Sequence, residues 1–95
     1  MLKHIVLFKL KDTSADNLAR VENILQGMRG KIPELKDFEV GFDINGSDYS
    51  YDVAFVAEFA SLKDLEGYRA HPLHQEVSNA VKSASESYVK IDYEL

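Results

Sequence analysis

The 95 residues carry a net charge of −5 and 45% hydrophobic side chains, enough apolar surface for one packed domain and too much for a disordered chain. Acidic excess without a basic cluster argues against a nucleic-acid partner, and no stretch reaches the roughly 20 apolar residues of a membrane span. The absence of cysteine excludes disulfides, thiolate nucleophiles and the usual structural zinc sites, and the chain is expected to be a single cytoplasmic domain over residues 1–95.

Lys3 to Lys11 alternates as a strand. His4, Val6, Phe8 and Leu10 share one face, and Ile5 and Leu7 make the centre of the other face apolar as well. Asp12-Thr13-Ser14 supplies a helix cap, and Leu18, Val21, Leu25 and Met28 follow the helical period. That helix is predicted over about 14–31, with Gly27 and Gly30 weakening its end and Pro33 forbidding continuation. Phe38 to Ile44 alternates as a second strand, and Asn45-Gly46 predicts a hairpin turn. Tyr51 to Ala60 is the third strand, with Val53, Phe55, Ala57 and Phe59 on one face and Ala54 and Val56 on the other. Ser61 and Asp64 cap a short helix running to about Ala70. Pro72 then opens a second helical piece with Leu73, Val77, Ala80, Val81 and Ala84 inward. Ser87 to Glu94 is the last strand, with Val89, Ile91 and Tyr93 on one face.

The order β-α-β-β-α-β predicts an α+β, ferredoxin-like fold: a four-stranded antiparallel sheet with its helices on one face. The opposite face would be bare in a monomer, yet it carries Ile5, Leu7, Ala54 and Val56. A patch of that kind marks an interface, and a short chain has a thin core to rely on. The expected partner is therefore a second copy, two sheets packing face to face into a closed barrel.

The stretch from Tyr68 to His74 holds the chemistry. A neutral histidine with an ordinary pKa near 6.5 accepts a proton at physiological pH, which makes His74 the candidate general base. Tyr68 is the candidate donor to a developing oxyanion. The same two residues could instead be packing. His71 is held extended by Pro72, and its ring can cap the helix that follows. His4 faces the helices from an apolar strand face, either as a satisfied core histidine or as a neighbour of His74. Phe8, Phe38, Phe42, Phe55 and Phe59 form core, and would wall any cavity between sheet and helices. His71 and His74 are three apart, but His71 should sit outside the helix with no acidic partner at matching spacing, so no metal site is expected. Gly27 to Gly30 ends a helix instead of beginning one, so it is not a phosphate loop.

With Lys3-His4-Ile5-Val6-Leu7-Phe8-Lys9 at the start, Tyr51-Asp52-Val53-Ala54 in the third strand and Tyr68-x-x-His71-Pro72-x-His74 after it, the whole chain resembles the stress-responsive α/β-barrel (Dabb) family. The resemblance implies a dimeric α/β barrel. It extends to plant polyketide cyclases of that family, which close rings by cofactor-free aldol chemistry. On that likeness Tyr68 matches the catalytic tyrosine, His74 the catalytic histidine, and His4 and His71 pocket histidines, while Val53 stands where a further pocket histidine lies. The implied function is binding of an apolar, carbonyl-bearing small molecule with acid–base chemistry and no cofactor. The alternatives are a cofactor-independent oxygenase or isomerase on the same plan, and a non-catalytic dimer with a filled core.

Overall fold

The computed structural model describes residues 1–95. The elements are β1 (Leu2–Leu10), α1 (Ala15–Gln26), β2 (Asp37–Phe42), β3 (Val53–Phe59), α2 (Leu62–Ala70), α3 (Pro72–Ser83) and β4 (Ser85–Glu94). They form one antiparallel sheet in the order β2-β3-β1-β4, the ferredoxin-like arrangement, with the second helical region in two pieces.

β1 is a central strand because its two faces are both largely apolar. Leu2, His4, Phe8 and Leu10 are buried beneath the helices. The register with β4 pairs His4 with Asp92, Val6 with Lys90 and Phe8 with Tyr88, so these residues share the helix-covered side. Lys3, Ile5 and Leu7 pair with Tyr93, Ile91 and Val89 on the side that no helix covers. Ala54 and Val56 of β3 continue that apolar strip opposite Leu7 and Ile5. The core lies between sheet and helices and is built from Phe38, Val53, Phe55, Ala57 and Phe59 of the sheet against Val21, Leu25, Leu65, Tyr68, Val77 and Val81 of the helices.

The starts of α1 and α2 are capped as their sequences require. The Ser14 hydroxyl accepts from the Asn17 N–H at 3.4 Å, and the Ser61 hydroxyl from the Asp64 N–H at 3.2 Å. α1 stops at Gln26, short of the predicted end. Gly27 caps it, and Met28, Arg29 and Lys31 then donate to carbonyls three residues back, a tighter winding that Gly30 ends with φ 75°. Met28 and Ile32 are still buried, which is why the apolar stripe outruns the helix.

The turn predicted at Asn45-Gly46 lies in a loop longer than expected, because both flanking strands are shorter. β2 ends at Phe42, opposite Val53, and Ile44 is fully exposed. Side chains win the backbone groups there. The Asp43 N–H still donates to the Asp52 carbonyl at 3.0 Å, but beyond it the Asp43 carboxylate accepts from the Gly46 N–H at 2.7 Å, and the Asp52 carboxylate accepts from the Leu10 N–H at 2.7 Å and ties the loop to β1. β4 begins two residues earlier than predicted, at Ser85, whose hydroxyl donates to the Val81 carbonyl at 2.7 Å.

Phe59 has no exposed surface, and its ring centroid lies 4.9 Å from that of Tyr68. Phe59→Ala should lower unfolding stability by about 3–5 kcal/mol. Urea unfolding checks this, and a loss below about 1 kcal/mol would mean that the sheet–helix core is not packed as described.

Candidate functional site

α2 and α3 do not form one helix. Pro72 occupies the first turn of α3, and His71 is at once the last residue of the α2 turn and the N-cap of α3. The Leu73 N–H donates to His71 Nδ1 at 3.1 Å. The helix is broken there, and the Tyr68 and His74 rings meet with centroids 4.1 Å apart. His4 reaches the same place from β1, edge-on to Tyr68 at 6.2 Å.

These three side chains line a cavity of about 610 Å³ between α3 and the β1–β4 side of the sheet. That volume is within the range of small-molecule sites. Phe8, Phe55, Leu25, Met28, Val77 and Val81 supply its apolar wall. Of the pocket residues expected from the sequence, His4, Phe8 and Phe55 are on this wall with Tyr68 and His74. His71 and Val53 are not among its lining residues. The His71 ring is committed to capping α3, and Val53 is buried between Phe8 and Phe42 in the sheet register. No group of three His, Cys, Asp or Glu side chains comes together with metal-binding geometry.

Tyr68 is 1% exposed, and burial pushes its phenol well above the usual value. It stays protonated at any physiological pH and so always has a proton to donate. Its one protein partner is the Met28 sulfur at 3.9 Å, a weak acceptor that a carbonyl oxygen would readily replace. Burial, with His4 and the nearby cations adding to it, lowers the His74 pKa to about 4. His74 is therefore neutral near pH 7, and its buried Nδ1 has no hydrogen-bond partner in the protein.

His4 is held differently. Its Nδ1 is hydrogen-bonded to Asp92 Oδ1 across the β1–β4 pair. A carboxylate only accepts, so Nδ1 carries the proton and Nε2 the lone pair. Burial lowers the His4 pKa against the opposing pull of Asp92. Asp92 is raised by burial, but the His4 hydrogen bond and the charges of His4, Lys90 and Arg69 together bring it below its ordinary value. At neutral pH the pair is thus a neutral imidazole donating to a carboxylate. Asp92 escaped the sequence reading. Its alternation with Val89, Ile91 and Tyr93 assigns it to the opposite face of β4, but only the β1–β4 register puts it against His4.

A chemically equipped cavity between an antiparallel sheet and the helices on one of its faces defines a ferredoxin-like α+β protein with a small-molecule-sized site. The family follows from sequence: residues 2–95 match the model of the stress-responsive A/B barrel domain, and the chain belongs to that Dabb family. An uncharacterised protein of Streptomyces coelicolor is 31% identical over 97 residues, 99% of each chain. A dimeric ferredoxin-like protein of unknown function from Thermobifida fusca is similar with a TM-score of 0.87 at 28% identity, over 99% of this chain and 90% of that one. A dimeric protein of unknown function from Bacteroides fragilis has a TM-score of 0.81 at 31% identity, over 99% and 95%. The hydroxynitrile lyase of Passiflora edulis shares the fold with a TM-score of 0.87 at 20% identity, over 99% and 92%.

The depressed His74 pKa sets a sign for acid stability. The unfolded chain binds a proton at His74 from its ordinary value of 6.5 downward, whereas the folded chain resists until about 4. Stability present above pH 6.5 is therefore lost as pH falls through that window. Urea midpoints between pH 7 and 4 should show this loss, and His74→Gln should make it shallower, with His4 leaving a remainder. A wild-type loss that the substitution leaves unaltered would contradict the depressed pKa of His74.

Proposed function

We propose that the cavity binds an apolar, carbonyl-bearing small molecule and that His74 and Tyr68 carry out cofactor-free acid–base chemistry on it. The observation that carries this reading is the convergence of Tyr68, His74 and His4 on one apolar wall, with the Tyr68 hydroxyl weakly partnered and the His74 Nδ1 unpartnered. Buried polar groups in a filled core are satisfied, so these are groups kept for something that enters. A cavity of about 610 Å³ also weighs against a non-catalytic dimer with a filled core.

In this reading neutral His74 takes a C–H proton alpha to a carbonyl, and the electron pair moves onto the carbonyl oxygen as an enolate. The Tyr68 O–H donates to that oxygen, stabilising charge where it develops. When the enolate carbon attacks a second carbonyl of the same molecule, a carbon–carbon bond forms and the imidazolium returns its proton to the new alkoxide. The low basicity of this half-buried imidazole is offset in the transition state by the enolate beside it. His4, oriented by Asp92, is a second neutral imidazole on the same wall.

The proton-transfer step can be read without knowing the natural substrate. An apolar 1,3-diketone in deuterium oxide should exchange its alpha protons faster with the protein than in buffer. His74→Gln and Tyr68→Phe should each slow that exchange by about a hundredfold. Equal exchange in wild type and both variants, all folded by circular dichroism, would sink the mechanism.

The same proposal includes a homodimer through the uncovered sheet face. Its support is the exposed strip of Val89, Ile91 and Tyr93 continuing Ile5, Leu7 and Val56, together with solved relatives described as dimeric. Sedimentation should give a dimer at micromolar concentration, and Ile91→Lys should give a folded monomer. A wild-type monomer would refute the interface.

A further inference from the structure

The chain has a net charge of −5, yet every charged side chain on the cavity wall is basic: Arg69, Lys82 and Lys90. Glu76 of α3 and Glu86 and Glu94 of β4 belong to the same elements and are absent from the wall. We propose that the cavity's ligand is an amphiphilic oxyanion, its apolar body against the wall of Phe8, Phe55, Val77 and Val81 and its carboxylate- or phosphate-type head at Arg69, Lys82 and Lys90. This rests on the reading of the cavity as a small-molecule site and adds the charge of what it holds.

The three cations form a row along β4. Lys90 lies two residues from Tyr88, whose ring centroid is 4.9 Å from Lys82 Nζ, and two residues from Asp92, which Arg69 approaches at 3.6 Å. At strand spacing this row covers about 13 Å from Tyr88 to Asp92. Asp92 is the only carboxylate paired with it, and that carboxylate is already divided. Its Oδ1 is engaged with His4, and its Oδ2 is shared between Lys90 Nζ at 3.5 Å and Arg69 Nη2 at 3.6 Å. Three positive charges against one negative charge leave an excess of two at the mouth.

α3 extends the polar rim. Gln75, Ser78, Asn79 and Lys82 line the cavity at i, i+3, i+4 and i+7, one continuous helical stripe beside the apolar stripe of Val77 and Val81. Amide and hydroxyl donors next to an uncompensated cationic row suit an oxyanion, and the planar Arg69 fork suits two of its oxygens. A wholly neutral ligand would leave the excess positive charge uncompensated.

Isothermal titration of the intact chain with 2-naphthoate, 2-naphthyl phosphate and methyl 2-naphthoate tests the proposal. At least one anion should bind about tenfold tighter than the ester, and that advantage should shrink as salt is raised. The arm that binds tighter tells a carboxylate head from a phosphate one. Lys82→Gln with Lys90→Gln removes the excess of two positive charges and should bring the ratio of anion to ester affinity down toward one. An ester that binds as tightly as both anions, or an anion preference that survives the double substitution, overturns the oxyanion inference alone. Absence of binding by all three overturns the cavity reading with it.

Discussion

The site depends on the break between α2 and α3. In an uninterrupted helix, residues six apart are separated by about 9 Å along the axis and point in directions roughly 120° apart. Tyr68 and His74 could not meet in that geometry. Pro72 forbids continuation and supplies a ready first turn for α3, while the His71 ring takes the Leu73 N–H that the new helix start would otherwise leave bare. The two rings are then brought within 4.1 Å by backbone geometry before any ligand is involved. His71 contributes to the site by shaping the chain, not by facing the cavity.

Burial then determines what those groups can do. Enclosure keeps the Tyr68 phenol protonated and the His74 imidazole neutral, a donor and an acceptor side by side at neutral pH. His4 is set apart by Asp92, which fixes the tautomer of its ring. The sheet thus supplies an oriented imidazole from below and the broken helix supplies a tyrosine–histidine pair from above. The basic rim borders the same space, so apolar wall, proton-transfer groups and positive charge form one graded surface from the interior to the mouth of the cavity.

Much of this was legible in the sequence. The alternation of β1 and β3 and the 3.6-residue stripe of α1 report burial directly, and burial dictates the ferredoxin-like layers. Tyr68 and His74 were legible as a pair because proline is an unambiguous local break. What was hidden depends on long-range register and side-chain competition. Asp92 becomes a partner of His4 only through a pairing 88 residues apart in sequence. Asn45-Gly46 reads as a hairpin turn, but the ladder stops at the Asp43–Asp52 bond and the Asp43 side chain takes the Gly46 N–H, so the connection is a longer loop. The early end of α1 has the same character, since Met28 and Ile32 keep the apolar pattern after the hydrogen bonding has changed. The cavity was the least legible feature, because whether Phe8 and Phe55 fill a space or merely border it depends on the packing of every neighbour.

The central claim is that the broken helix and the sheet enclose a ligand site at Tyr68, His74 and His4. The most direct test is a two-dimensional NMR titration of the isotopically labelled chain with 2-naphthoate, following backbone amides and histidine rings. The account predicts saturable shifts concentrated at His4, Tyr68, His74, Val77 and Val81, with little change at Ile5, Val56 and Ile91 on the opposite face of the sheet. Shifts confined to that opposite face, with His74 and Tyr68 unmoved at saturation, would contradict it.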